Sequence, residues 1–351
     1  MQSNALKVLV IGTCSPHVAN HISRIKDDDI IVEVIANGKK YFEEKENIHL
    51  VDFSLLKFWN LWVTVLRIRK VIRTFNPDVI HIHQANSVAF YTLLANKKFK
   101  LPTILTAWGS DILLNPKKSM LLKLMVQYNL RHADFFSSDS IFMAEEMQRL
   151  IPDKKLDITI CNFGVTPIEL MVNKKDIIYS NRNHNPLYRI DKVIEGFERF
   201  SKSEIGNSWK LIIAGAGSET AKLKALVADR GLNEKITFVG FVNKEENFMH
   251  YAEAKIFVSL PESDATSISL LEALYYQCIP VLSELPANKE WVTDNVNGII
   301  VSDLEGAYLE RALLLDQQSV GQKNRDLILE NGTEEVSKKN FRNLLLKAIA
   351  K

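Results

Sequence analysis

Arg182 and Arg189 stand seven residues apart in SNRNHNPLYRID, just after an apolar run. Guanidinium groups keep their charge and grip phosphate oxygens through forked donors. Two of them after one strand suit the holding of a diphosphate and the offsetting of charge as it leaves. The plainer alternative is a surface Arg189 and an Arg182 paired with a nearby acid. A second stretch, PESDATSISLLEALYY at 261–276, reads as a polar turn running into a helix that begins near Thr266. The amides of Ala265, Thr266 and Ser267 would open that helix, where unpaired N–H groups and the helix dipole favour a phosphate. Asp264 and Glu272 are eight residues apart, slightly over two turns, and so share one side of the helix. Against this stands the simpler reading of Asp264 as an N-cap and Glu272 as a solvated helix residue.

Other stretches are weaker. AGAGSE at 214–219 places Gly215 and Gly217 in a tight turn, but a dinucleotide fingerprint needs a third glycine where Thr220 stands. In the first half, GTCSPH puts His17 after an apolar run. DVIHIH puts His81 and His83 on one strand face, His83 nearer the end, with His81 read as a core histidine. TAWGSD adds Trp108 and Asp111. His17, His83, Trp108 and Asp111 are candidates to line an acceptor pocket, with Asp111 orienting a hydroxyl. Packing for Trp108 and turn capping for Asp111 are the alternatives. No G-x-S-x-G elbow, P-loop or C-x-x-C pair occurs. Asp27–Asp29 precede a strand and read as a solvated turn, so no metal site is expected.

Residues 55–75 carry Lys57, Arg67, Arg69, Lys70 and Arg73 with no acid, and Trp59 and Trp62 in the same run. Such a helix suits an anionic membrane surface. It equally suits a crossover helix packed on a sheet.

These residues need a scaffold. Apolar runs at 7–12, 30–36, 78–83, 102–108, 133–138 and 157–163 read as strands, alternating with helical patterns near 17–26, 54–75, 86–98, 117–131 and 140–150. The alternation breaks at 164–175, GVTPIELMVNKK, a linker. It resumes with strands at 176–181, 209–215, 235–240, 254–260, 279–283 and 298–302. Helices are expected near 190–203, 219–230, 244–252, 267–277, 287–294 and 303–315, and a helical tail at 333–350. Strand–helix alternation of this kind gives parallel sheets with helices on both faces. Ligands then bind beyond the carboxyl ends of the strands. The expectation is two doubly wound α/β domains in tandem, 1–165 and 166–330, followed by a C-terminal helix over 331–351.

Composition agrees. The chain has 351 residues, 46% hydrophobic and 25% charged, with a net charge of +2, which excludes disorder and gives no ground for a nucleic-acid partner. Residues 1–165 hold 21 basic and 16 acidic side chains, leaving room for a local anionic partner. Three scattered cysteines suit a reducing compartment. The opening MQSNALKVLVIGT reads as a strand rather than a signal peptide, and no run reaches ~18 apolar residues. The expected location is the cytoplasm, with the inner face of the cell membrane open to it as a peripheral site.

Taken together, these stretches resemble the GT-B glycosyltransferases, specifically glycosyltransferase family 4, over almost the whole chain. ESDATSISLLEALYYQCIP looks like that family's acid–seven–Glu segment, with Asp264 where the first acid is usually Glu. The resemblance implies two Rossmann-like domains facing a central cleft, acceptor site in the first, nucleotide sugar in the second, and a C-terminal helix returning to the first. It implies that Glu272 holds the ribose hydroxyls and Asp264 the sugar hydroxyls. Amides around Thr266–Ile268 and Arg182 would hold the diphosphate. Gly240 and Phe241 in KITFVGFV would cradle the base, and Gly215 and Gly217 match the family's Gly-x-Gly turn. The family's Lys-Gly pair is absent, and Arg189 stands in its region. A histidine common in the family's Thr-x-His-Gly pattern is replaced by Trp108. The implied reaction is retaining, metal-independent transfer from a nucleotide diphosphate sugar to a saccharide or lipid-linked hydroxyl, with no cofactor, in cell-surface polysaccharide or glycolipid assembly. The alternatives are a nucleotide-sugar epimerase on the same fold and a non-catalytic nucleotide-sugar-binding protein.

Overall fold

A computed structural model of the chain describes residues 5–44, 46–55 and 59–350. Lys57 lies outside them. The chain divides into two compact units, Met1–Phe163 with Glu334–Lys351, and Gly164–Thr333.

The first unit is built on strands β1 (Leu6–Ile11), β2 (Ile30–Ala36), β3 (Ile48–Leu50), β4 (Val79–His83), β5 (Thr103–Thr106), β6 (Phe135–Ser138) and β7 (Ile158–Ile160). They form one sheet in the order β3-β2-β1-β4-β5-β6-β7, and every pairing is parallel. All five residues of β4 are buried, as expected for a strand covered on both faces. The helices Asn60–Phe75, Ser87–Asn96 and Met120–His132 pack side by side. The terminal helix Glu334–Ile349 packs against Pro16–Ile25 and the sheet. Its Arg342 bonds Asp27 and Asp29, each at 3.1 Å. The aspartates read as a solvated turn therefore anchor the end of the chain.

The second unit uses β8 (Lys175–Ser180), β9 (Lys210–Ala214), β10 (Ile236–Gly240), β11 (Ala254–Ser259), β12 (Ile279–Ser283) and β13 (Ile299–Val301), in the order β10-β9-β8-β11-β12-β13. These pairings are parallel as well. The order reverses direction beside β8, so the loops after β8 and β11 flank a switch point where ligands bind in such sheets. Two apolar cores cover the faces. One joins Ile190–Ser201, through Ile194, Phe197 and Phe200, to the sheet. The other joins Phe248, Tyr251, Leu270, Leu274 and Ile328 to Tyr179 and Phe257.

Three differences from the sequence expectation have physical reasons. Strand β3 is only three residues long and carries no alternation to read. The helix Gln317–Asn331 was not expected, because it buries only Val320, Gly321, Asn324 and Ile328 and is otherwise polar. The helix expected near 287–294 is a single turn, Pro286–Lys289.

Candidate functional site

In the second unit, the helix after β11 spans Ile268–Tyr275 and is capped by Ser267, whose Oγ accepts from the Leu270 amide at 3.2 Å. The helix starts two residues later than expected, and Asp264 is not its N-cap. Asp264 instead turns toward the loop after β8, where its Oδ2 accepts from Arg182 Nη2 at 2.6 Å. Its Oδ1 accepts from the Ala265 amide at 3.1 Å, so that amide is already engaged. The amides of Thr266, Ser267, Ile268 and Ser269 find no acceptor among the described residues. A helix start with open amides attracts an anion.

Arg182 is 7% exposed, and its guanidinium lies over the Tyr188 ring at 4.5 Å. Burial works against its charge, but the Asp264 carboxylate and Tyr188 outweigh it and raise its pKa. Burial pushes the Asp264 carboxyl up, against the pull of Arg182 and the Ala265 amide. A cation and an acid thus sit partnered beside open amides. Arg189 does something else. It has φ 48° at the start of helix Ile190–Ser201. Its Nε donates to Leu260 O at 2.6 Å and its Nη2 to Pro261 O at 3.0 Å. Two of its donors therefore fix the loop that carries Asp264, a role different from the free phosphate contact expected of it.

Glu272 sits one helix turn further in. Asn247 Nδ2 donates to its Oε2 at 3.1 Å. Burial pushes its carboxyl up to about 7, against hydrogen bonds from Tyr251 and Asn247 and the charge of Lys244. A cavity of about 310 Å³ opens beside its partner Asn247, lined also by Asn181, Gly215, Phe241, Val242 and Lys244 among others. Gly240 ends β10 with φ 73°, and the following Phe241 is 76% exposed. Gly215 and Gly217 owe their identity to close packing: a Cβ would lie 2.6 Å from Arg182 O and 2.3 Å from His184 O. Thr220 replaces the third glycine usefully, since its Oγ1 accepts from the Gly217 amide at 2.9 Å.

Several residues here escaped sequence reasoning. His184 is fully buried; its amide donates to Ala216 O, its carbonyl accepts from Glu219 N, and its Nδ1 meets Thr220 Oγ1 at 3.0 Å. It clamps the loops after β8 and β9 together. Trp291 Nε1 donates to Thr266 Oγ1 at 3.3 Å. Asn181, Asn247 and Tyr251 likewise belong to the site. None lies in a spaced motif.

The first unit differs. His83 is fully buried, and Trp108 Nε1 donates to its Nδ1 at 3.3 Å. His17 is exposed and stands 5.1 Å from the Trp108 ring. Asp111 is 1% exposed and accepts from the Ala85 amide at 2.6 Å and the Trp108 amide at 2.9 Å. It ties two loops together, so the structure gives it the turn-capping role in place of a hydroxyl contact.

His21, His81 and His83 cluster in the core, each with a ring nitrogen within 4.8 Å of the others. The donor set does not fit a divalent cation. The Trp108 N–H on His83 Nδ1 places that ring's proton on Nε2, the nitrogen that would have to bind. His81 is already engaged by His21 Nε2 at 3.0 Å and Thr106 Oγ1 at 2.7 Å. No carboxylate joins the cluster to offset a buried charge. Burial keeps all three rings neutral, with His81 lowered to about 3 and His21 and His83 lowered well below their ordinary value.

Two family models match the chain: one described as glycosyl transferases group 1, over residues 162–315, and one as glycosyl transferase 4-like, over residues 7–140. A Campylobacter jejuni N-acetylgalactosaminyltransferase, whose name specifies a diphospho-undecaprenol-linked saccharide, is 24% identical over 76% of both chains. A GDP-mannose:cellobiosyl-diphosphopolyprenol α-mannosyltransferase of Xanthomonas campestris is 30% identical over 27% of this chain. That match spans only a quarter of the Xanthomonas protein. Among solved structures, a Rickettsia africae glycosyltransferase superposes with a TM-score of 0.83 at 15% identity, covering 99% of both chains. Anabaena HepE, solved with UDP and glucose, gives 0.76 at 13% identity, covering 97% of this chain and all of HepE.

Proposed function

The chain belongs to the group 1 glycosyltransferases of the GT-B fold, and we propose that it moves a sugar from a nucleotide diphosphate sugar to a hydroxyl of a lipid-linked saccharide. The observation that carries this reading is the row of open amides at Thr266–Ser269 beside the Arg182–Asp264 pair. A diphosphate placed there meets backbone donors and a permanent cation, both preorganised and largely shielded from water. Glu272 takes the ribose hydroxyls, the cavity beside Phe241 takes the base, and Asp264 takes the donor sugar's hydroxyls.

The expected chemistry is retaining and needs no metal. The bond from the anomeric carbon to the leaving phosphate oxygen breaks. The bond to the acceptor oxygen forms on the same face, and the acceptor's proton passes to that phosphate. Arg182 and the amides carry the charge that develops. A lipid-linked acceptor is favoured by the names of the relatives, which specify diphosphopolyprenol and diphospho-undecaprenol saccharides.

A membrane-facing surface in the first unit fits the same acceptor. No helix among the described residues is long and apolar enough to cross a membrane. Trp59, Trp62 and Leu66 are 61%, 64% and 59% exposed, and Met120, Leu121 and Leu124 are 68%, 74% and 55% exposed. Both groups lie where helices start, and each of these helices packs against Ser87–Asn96. Both helices follow parallel strands, so these starts lie at the carboxyl edge of the sheet. Exposed Arg67 stands beside Leu66 on the first helix, and exposed Lys117 and Lys118 lie in the turn before the second, a combination that suits anionic lipid. Replacing Trp59 and Trp62 with Ser should cut sedimentation with phosphatidylglycerol vesicles severalfold, and added salt should do the same to the wild type. Sedimentation indifferent to both would remove the membrane from the picture.

The function is tested by thermal shift against UDP-, GDP- and ADP-sugars, then mass spectrometry of products with lipid-linked saccharides. A transferred sugar supports the proposal. Free epimerised nucleotide sugar without acceptor identifies an epimerase, and nucleotide binding without any product identifies a binding protein.

A further inference from the structure

We infer that Asn247 is a positioning residue whose side-chain amide fixes the direction of the Glu272 carboxylate. The inference rests on the reading above, in which that carboxylate receives the nucleoside's hydroxyls.

Asn247 lies on the helix Lys244–Glu253. That helix start is held by a reciprocal cap: the Glu246 amide donates to Asn243 Oδ1 at 2.8 Å and the Asn243 amide to Glu246 Oε2 at 3.0 Å. The backbone of Asn247 is therefore set within the first turns of a capped helix. Its side chain lines the cavity and meets three groups. Tyr179 Oη donates to Asn247 Oδ1 at 2.7 Å, and Asn181 Nδ2 donates to the same oxygen at 2.9 Å. Asn247 Nδ2 donates to Glu272 Oε2 at 3.1 Å.

This arrangement favours one orientation of the amide. A flip would turn Oδ1 onto the carboxylate and Nδ2 onto the Asn181 amide, setting acceptor against acceptor and donor against donor. Turning Asn181 as well would set its Oδ1 on Tyr251 Oη, whose proton would then have to leave Ser269 O, so the flip costs a second hydrogen bond. Tyr251 Oη in turn donates to Ser269 O at 3.0 Å, so its one proton is divided. Asn247 offers Glu272 an undivided N–H. The polar chain thus runs from the end of β8 through Asn181 and Asn247 to Glu272. A ligand hydroxyl would then meet a carboxylate whose Oε2 is already held by Asn247. No motif at fixed spacing contains Asn247, so the tertiary structure alone brings it to this place.

The experiment uses the full chain and measures UDP and GDP binding by calorimetry, with KM and kcat where a donor is known. Asn247→Asp keeps the shape but sets a second carboxylate against Glu272. It should weaken the nucleotide that the wild type binds by about tenfold, with the loss in KM rather than kcat. Glu272→Gln alone should weaken binding as well. In the double variant the introduced glutamine amide donates to the introduced carboxylate, which still accepts from Tyr179 and Asn181. Affinity should recover to above that of Asn247→Asp, a coupling that a merely structural residue would not show. Unchanged affinity in Asn247→Asp, or losses that simply add, would overturn the inference while leaving Glu272's role standing. A wild type that binds neither nucleotide would overturn the donor-site reading and this inference with it.

Discussion

In the second unit the amides of Thr266–Ser269 stay open, Arg182 waits beside them on Asp264, and Asn247, the partner of Glu272, lines a cavity. In the first unit the chemically suggestive residues have turned inward: His21, His81 and His83 are fully buried, and Asp111 spends both oxygens on backbone amides. The second unit leaves polar groups unmet by the protein itself, while the first unit largely uses the same residue types to hold itself together. Residue type alone does not separate these uses. What separates them is whether the protein's own atoms have already met each group's hydrogen-bonding demand.

Arg182→Ala tests the contrast most severely. Turnover should fall by about 10²–10³-fold, because a charged donor to the leaving phosphate is lost. The fold should also weaken, since Asp264 keeps its burial without its cation. Adding Asp264→Ala should restore melting temperature but not turnover. Wild-type rates in either variant would take Arg182 out of the reaction.

Glu272→Ala should weaken nucleotide binding by about 30-fold, the worth of hydrogen bonds to a charged acceptor. Because burial lifts the Glu272 carboxyl to about 7, wild-type affinity should rise from about pH 6 to about pH 8 as the acid ionises. The Ala variant should show no such rise. Titration by calorimetry at several pH values decides this.

The three clustered buried histidines predict an acid response strongest in the first unit, although burial also lowers His184 and His250 in the second. An unfolded histidine takes a proton near about pH 6.5, whereas the folded ones resist it, His81 down to about 3. Their stability is thus complete above that unfolded value and drains away as pH falls toward the folded one. Each contributes up to about 1.4 kcal/mol of loss per pH unit. Amide exchange compared at about pH 5 and about pH 7.5 should show β1 and β4 losing protection before β8 and β11. Equal losses in both units would erase the proposed contrast. Asp111→Asn carries the smallest effect. It should cost about 1–3 kcal/mol, as one buried amide loses its acceptor, with normal turnover in the folded fraction. Lost turnover at unchanged stability would instead return Asp111 to the acceptor pocket.

Much of this was legible beforehand because it depends on local pattern. The β8 and β11 runs are apolar and end in polar turns, so Arg182 and Asp264 had to emerge where parallel strands present ligands. The eight-residue spacing to Glu272 follows from helix geometry. The helix Gln317–Asn331 was hidden because four buried residues in fifteen leave too faint a period. Arg189 was misjudged because its target, the carbonyls of Leu260 and Pro261, lies some seventy residues away in sequence.

The sequence by itself determined two α/β halves, the order of their strands along the chain, and the loops where a phosphate could be met. Those properties arise from hydrophobic period and backbone conformation, which act between near neighbours. Only the tertiary structure decided which polar groups remained free. It joined Asp264 to Arg182, gave Glu272 its Asn247 partner, closed the histidines against Phe341, and left four amides open. Hydrogen bonds between distant segments depend on where a packed core places each end, and no spacing along the chain encodes that placement.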